Sequence, residues 1–323
     1  QLPPAYLSVE AGPEEKNVAI KLNTVEGTQD HLSVGWIGAG KMGAPMIRNL
    51  LAQGIGITVT DPDAGVTEAL VREGATLGID AAAHADRSIV FSTLPNDAVL
   101  RSVVVGTETT PGLATSLRPG AIFVEMSTVS PECSAEIATV LSNNGIKYLR
   151  APLSGSTALA EKAALTILAS GEKTAWDTVE PYLAHLSVRQ FYLGEGEEAR
   201  YMKLVLNTLV GATAAIMAEA LALGESGGLS RSAIMEVVGE SAVASPLLKY
   251  KTETIVADDY SPAFSVDQMI KDFSLINDAA RAHGVPQHIT AVILEQYRGA
   301  AAAGLNDQDF FALVKWRGGL SDA

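Results

Sequence analysis

Two short stretches of the chain carry residue types whose spacing could do chemistry. The first is Gly38-Ala39-Gly40-Lys41-Met42-Gly43, with G-x-G-x-x-G spacing, an apolar run before it and an amphipathic stretch after it. Between a strand and a helix, the first glycine permits a tight turn and the second lets backbone N–H groups approach a pyrophosphate. The third lets helix and strand pack closely, and the helix N-terminus favours the negative charge. Asp61 ends the next apolar run, ITVTD, where an acidic residue accepts hydrogen bonds from an adenosine ribose. A carboxylate there repels a 2′-phosphate, and Asp63 adds a second acid, so the expected cofactor is NAD, with NADP second. The competing reading of Asp61 is an ordinary turn aspartate ahead of Pro62.

The second stretch is Tyr201-Met202-Lys203-Leu204-Val205-Leu206-Asn207. A nicotinamide enzyme needs a group that exchanges a proton with the substrate oxygen as hydride moves. No metal site is legible: the five histidines are scattered, and Gly284 and Pro286 spoil helical ligand spacing between His283 and His288. No tyrosine has a lysine four residues on, which disfavours a Tyr–Lys pair. Lys203 and Asn207 share one helical face, each the odd polar residue in an apolar stretch. Spacing alone leaves two readings open. One is a general acid/base lysine, its pKa lowered beside a positive nicotinamide ring, with an asparagine that holds the lysine or a substrate hydroxyl. The other is a snorkelling lysine with a satisfied core asparagine.

The elements that must position these residues change character along the chain. From Ser33 to about Leu193, the runs SVGWIG, ITVTD, SIVFSTL, AIFVEMS, IKYLRA, LTILAS and RQFYLG alternate with helical patterns. That alternation predicts a doubly wound, largely parallel α/β sheet of the Rossmann type. After Gly194 the sequence reads as helix after helix, begun by a long apolar one over Ala199–Gly224. The expected organisation is a leader of unknown role (1–31), a dinucleotide-binding Rossmann domain (32–194) and an all-α substrate and dimerisation domain (195–323). The long helix has the length of a bilayer span, but Asn207 and Glu219 interrupt it, and a buried helix of a soluble protein explains it better. It has too little polar surface for two solvated faces, which points to a homodimer or homotetramer.

Composition bounds the rest. The 323 residues carry a formal charge of −14, spread along the chain, which disfavours nucleic acid as a partner. Cys133 is the single cysteine, so no intrachain disulfide forms; a reducing, cytoplasmic setting fits. In a first helical turn after Pro131-Glu132 it reads as a buried thiol, with a low-pKa nucleophile as the rival.

Taken together, these segments resemble the β-hydroxyacid dehydrogenase family, which includes 3-hydroxyisobutyrate, tartronate-semialdehyde and glyoxylate/succinic-semialdehyde enzymes. The resemblance spans about Val34 to Phe311. It rests on the glycine loop, Lys203-x-x-x-Asn207, Ser92-Thr93-Leu94-Pro95, Met126-Ser127-Thr128, Ala151-Pro152-Leu153-Ser154-Gly155-Ser156 and Met269-Ile270-Lys271-Asp272-Phe273. It implies Leu94, Pro95, Thr128 and Lys271 as cofactor contacts, and Ser154, Gly155 and Ser156 as the loop for a substrate carboxylate. Lys203 becomes the proton-transfer group and Asn207 its helper, on a small carboxylated aldehyde or hydroxy acid. The chain departs from the family at Arg150, where an aspartate is usual, at Ser156, where a second glycine is usual, and at Ala164, a further usual glycine. Arg150 is read as an extra anion contact or a solvent-facing residue, and Lys271-Asp272 taken alone as a solvated helix pair. Two rivals are an imine reductase of similar architecture, disfavoured by Lys203 and Asp61, and a non-catalytic cofactor-binding scaffold.

Overall fold

A computed structural model describes residues 33–320. The expected leader, with its weakly alternating KNVAIKL stretch, lies outside the described residues. Six short strands build the first half: β1 (Val34–Ile37), β2 (Ile57–Thr60), β3 (Thr76–Leu77), β4 (Ile89–Ser92), β5 (Ile122–Glu125) and β6 (Lys147–Arg150). They run parallel in the order β3-β2-β1-β4-β5-β6. Between them lie α1 (Gly43–Ala52), α2 (Ala64–Arg72), α3 (Asp97–Val105), α4 (Leu113–Ser116) and α5 (Pro131–Asn143).

Parallel strands are covered on both faces, so successive side chains enter opposite cores. Val34, Trp36, Ile89, Phe91, Ile122 and Val124 enter one core, where they meet Met46, Ile47 and Leu50 of α1. Ile37, Val90 and Phe123 enter the other, against Leu100 and Val104 of α3 and Ile137 and Leu141 of α5. Trp36 stacks on Phe91 across β1 and β4, ring centroids 5.1 Å apart.

Beyond β6 the sheet turns back. β7 (Leu153–Ser154), α6 (Thr157–Glu161) and β8 (Leu165–Gly171) follow, with β8 antiparallel to both β6 and β7. After α7 (Lys173–Ala184), β9 (Ser187–Tyr192) runs parallel to β8. The seven runs expected as strands are strands. The strands not anticipated, β3 and β7, have two residues each, too few to leave a period in the sequence.

The second half is helical: α8 (Glu198–Ser226), α9 (Arg231–Glu240), α10 (Pro246–Val256), α11 (Val266–Ala282), α12 (His288–Ala300) and α13 (Leu313–Leu320). By length and composition α8 could cross a membrane, but it lies against α11, α12 and α13, and one stripe of it is buried. That stripe is Arg200, Leu204, Asn207, Gly211, Ala214, Ala218 and Leu221, at helical spacing. A capping box at Ser265 and Gln268 fixes the start of α11. Its buried face is Val266, Met269, Asp272, Phe273 and Ile276.

The two helices meet most closely at Gly211. A Cβ there would lie 2.2 Å from Phe273 Cε2 and 2.8 Å from Met269 Sδ. The Gly211 carbonyl also accepts a hydrogen bond from the buried Tyr297 hydroxyl at 3.0 Å. Lys203, Asn207 and Gly211 stand one turn apart on the same face, so the spacing at Gly211 sets what Asn207 can reach on α11. Gly211→Ala is therefore expected to cost about 1–3 kcal/mol through overpacking, despite alanine's better helix propensity. Urea unfolding measures this loss, and the variant should also lose turnover by pushing α11 outward.

Candidate active site

The glycine loop joins β1 to α1. Gly38 has φ +88°, and a Cβ on it would sit 2.2 Å from the Thr93 carbonyl oxygen. Gly43 is equally confined, its would-be Cβ 2.2 Å from the Gly38 carbonyl oxygen. Gly40 differs: no atom lies within 4 Å of its would-be Cβ, and the residue is exposed at the start of α1. That open space beside a helix N-terminus is where a pyrophosphate fits, and a side chain would fill it. Ala39 is buried, Lys41 exposed and Met42 half-buried. Asp61 closes the loop: its Oδ2 accepts the Ala39 N–H at 2.6 Å and its Oδ1 the Asp63 N–H at 2.8 Å. Each oxygen keeps a second lone pair for a ribose hydroxyl. The cradle fits a dinucleotide.

From this loop a relay of hydrogen bonds and one ion pair, linked through neighbouring residues, crosses to the helical half. Thr93 Oγ1 donates to the Gly38 carbonyl at 2.5 Å, and the next N–H, of Leu94, donates to Ser127 Oγ at 2.6 Å. The Ser127 N–H donates to Glu125 Oε1 at 2.8 Å. One residue on, the Thr128 carbonyl accepts from Lys271 Nζ at 2.9 Å. Lys271 Nζ lies 3.2 Å from Asp272 Oδ1, and Asp272 Oδ2 accepts from the Asn207 amide. Leu94, Thr128, Lys271 and Asn207 are thus gathered into one site; Pro95 is exposed at its rim.

A second buried group joins the halves. Arg200, 1% exposed, forms an ion pair with Glu125, which is fully buried at the end of β5. The same guanidinium donates to the Ser127 carbonyl at 2.8 Å, to the Tyr148 hydroxyl at 3.0 Å and to Ser134 Oγ at 3.2 Å. Lys203 follows three residues later on α8. Its side chain is half-buried. Burial pushes its pKa down; the Asp272 carboxylate opposes that, and the Lys271 charge adds to it.

The third component, Ser154-Gly155-Ser156, runs from β7 to the cap of α6, and α8 packs against β7. Gly155 has φ +144°, and its would-be Cβ lies 2.8 Å from Leu165 Cδ2, so only glycine suits the turn. Ser156 occupies the cap position of α6 without bonding to it, which leaves its hydroxyl uncommitted.

Several expectations need correction. Arg150 neither faces solvent nor awaits an anion. It is 6% exposed, paired with Glu197, and lies 4.5 Å from the Tyr148 ring centroid. Asp272 is fully buried, so Lys271-Asp272 is not a solvated pair. The rival reading of Cys133 also falls: burial, with Asp97 nearby, pushes its thiol up to about 12, and a thiolate nucleophile is excluded near neutral pH.

None of Arg200, Glu125, Ser127 and Asp272 was given a role in the site from the sequence, although Ser127 and Asp272 fall within the segments quoted there. A signal existed for two of them, since Arg200 and Asp272 are charged residues falling on the apolar stripes of α8 and α11.

A Rossmann half with a dinucleotide cradle, joined through Thr128 and Lys271 to a helical half, has the architecture of a nicotinamide-dependent oxidoreductase. Residues 33–194 match the NAD binding domain of 6-phosphogluconate dehydrogenase, and residues 197–317 match the NAD-binding domain of NADP-dependent 3-hydroxyisobutyrate dehydrogenase. The chain is 32% identical to 2-(hydroxymethyl)glutarate dehydrogenase of Eubacterium barkeri, over 88% of this chain and 94% of that protein. It is 30% identical to the chloroplastic glyoxylate/succinic semialdehyde reductase 2 of Arabidopsis thaliana, over 91% of this chain and 82% of that protein. Among solved structures, 3-hydroxyisobutyrate dehydrogenase from Salmonella typhimurium superposes with a TM-score of 0.78 at 27% identity, covering 87% of this chain and 98% of that one. The chain belongs to the β-hydroxyacid dehydrogenase family.

Removing one partner of the buried Arg200–Glu125 pair leaves the other charge uncompensated. Glu125→Gln should lower unfolding free energy by about 3–5 kcal/mol in a denaturant titration. It should also weaken cofactor binding, because Glu125 holds the Ser127 loop; undiminished stability would contradict this account of the junction.

Proposed function

We propose that the protein interconverts a small hydroxy acid and its semialdehyde or keto acid, with NAD(H) preferred over NADP(H). The observation that carries this reading is the half-buried Lys203, one helical turn from a buried Asn207 that is tied through Asp272 and Lys271 to the Thr128 loop of the Rossmann half. A bound nicotinamide supplies or accepts the hydride. The chain's own residues do the rest. The free hydroxyls of Ser154 and Ser156, with the Gly155 backbone, receive the substrate carboxylate. Lys203 gives a proton to the substrate oxygen in reduction and takes one in oxidation. Asn207, anchored by Asp272, offers its carbonyl oxygen to the substrate hydroxyl or to the lysine. Lys271, braced on Thr128, stands beside the cofactor. The small carboxylated aldehydes and hydroxy acids named for the relatives are the substrate class this arrangement suits.

The cofactor preference rests on Asp61, the residue after β2, whose carboxylate would repel a ribose 2′-phosphate and accept from a free 2′-hydroxyl. The same reading makes the protein a homodimer or homotetramer. Met202, Leu209, Ile216 and Leu223 recur every seven residues on the outer side of α8 and are 37–76% exposed. A seven-residue apolar repeat of this kind is the seam of a helix–helix interface.

A panel of small carboxylated aldehydes and keto acids, followed by nicotinamide absorbance with NADH and then NADPH, tests the assignment. Turnover of at least one compound should fall by about 10²–10⁴ in Lys203→Ala while NADH binding persists. Turnover unaffected by the substitution would remove Lys203 from the mechanism. Asp61→Ser should shift the preference toward NADPH by roughly tenfold or more, since about 1.4 kcal/mol of relieved repulsion suffices; an unchanged ratio would assign the preference elsewhere.

A further inference from the structure

Asp272 is the most unusual group in the site. It is a carboxylate with 0% exposure, on the apolar stripe of α11 between Met269 and Phe273. Burying a charge is costly unless it is paired and hydrogen-bonded, so its partners carry information. Its Oδ2 takes the Asn207 amide, while its Oδ1 lies 3.2 Å from Lys271 Nζ without a well-aligned hydrogen bond. A carboxylate only accepts, so Asn207 must present its nitrogen to Asp272 and turn its carbonyl oxygen away. Lys203 lies one turn back along the same face of α8. The charged groups bearing on its amine are Asp272 and Lys271, both from α11; Glu125 and Arg200, across the junction, are committed to each other. Without Asp272, the opposite charge bearing on Lys203 is gone while the like charge of Lys271 remains.

We propose that Asp272 is the positioning residue of this site: a buried carboxylate that orients the Asn207 amide, holds Lys271 against Thr128, and supplies the negative charge against which Lys203 keeps its proton. This deepens the reading of Lys203 as the proton-transfer group and rests on it. The chemistry is simple proton bookkeeping. In reduction Lys203 must arrive protonated, and activity is lost as pH rises through its pKa. In oxidation it must arrive neutral, and activity is gained through the same pKa. A group that stabilises the ammonium moves both limbs to higher pH, and a neighbouring cation moves both to lower pH.

The test reads the lysine directly. Trace acetylation of the full chain with acetic anhydride at a series of pH values, with the Lys203 peptide followed by mass spectrometry, gives the titration midpoint of that amine without any substrate. Asp272→Asn should move the midpoint down by about 1–3 units, the effect of removing an opposite charge at close range. Asp272→Glu, which keeps the charge, should return it most of the way. Lys271→Met removes the like charge and should move the midpoint up. Where an aldehyde acid is turned over, the kcat–pH profile at saturating cofactor should shift in the same directions. Thermal unfolding of each variant identifies any that does not fold, and Asp272→Ser, which removes the charge without placing an amide in its space, then stands in for Asp272→Asn. Midpoints that stay put, or that move the same way in Asp272→Asn and Lys271→Met, overturn the proposal. Because labelling does not depend on turnover, failure here is distinct from failure of the catalytic reading, which shows itself as undiminished turnover in Lys203→Ala.

Discussion

The ion pair between Arg200 and Glu125 is the constraint on which the site depends. Glu125 ends a strand of the parallel sheet, and Arg200 opens the long helix of the second half. Neither charge can stay buried alone, so the helix is held at one place against the sheet. The hydrogen bonds around the pair extend this fixation. Arg200 holds the Ser127 carbonyl, Glu125 holds the Ser127 N–H, and Ser127 in turn holds Leu94. The loops flanking the cofactor and the helix bearing Lys203 therefore share one anchor. Catalysis by positioning needs reacting groups held to within fractions of an ångström, and a junction of neutral packing alone would define that relation less sharply.

Around the anchor, charge is distributed against the trend of the molecule. The chain as a whole carries −14, yet Lys203, Lys271 and Asp272 leave the site with one net positive charge. Charges in so buried a setting are screened less by salt than those on the surface, so they weigh more on a nearby anion than the distant acidic residues do. The uncommitted hydroxyls near Ser154 and Ser156 add donors without adding charge.

Much of this was legible in the sequence. Continuous apolar runs ending in glycine or in an acid marked the buried parallel strands, because such strands hide both faces. The glycine loop, Asp61 and the Lys203–Asn207 spacing were visible because their chemistry is local: a turn, a strand end, one helical face. What escaped were partnerships between distant segments. Asp272 was read beside Lys271, its neighbour in sequence, when its decisive contact is with Asn207, 65 positions away. Glu125 and Arg200 are 75 positions apart, and nothing in either segment names the other. The positions of Arg200 and Asp272 on apolar stripes did hold half of the information: a charge placed there must find a partner, though the sequence does not say which.

The pair formed by Arg150 and Glu197 has a consequence for how related chains can differ. Both side chains are largely buried, and each is the other's ion-pair partner. Exchange of either one alone strands a charge beside the Tyr148 ring, whereas a matched exchange does not. A change of charge at position 150 is therefore disfavoured unless position 197 changes with it. These two sites should drift as a couple, as a reversed pair or a neutral one, while the reacting groups stay the same. An unexpected residue in a loop is then accounted for by its partner across the fold.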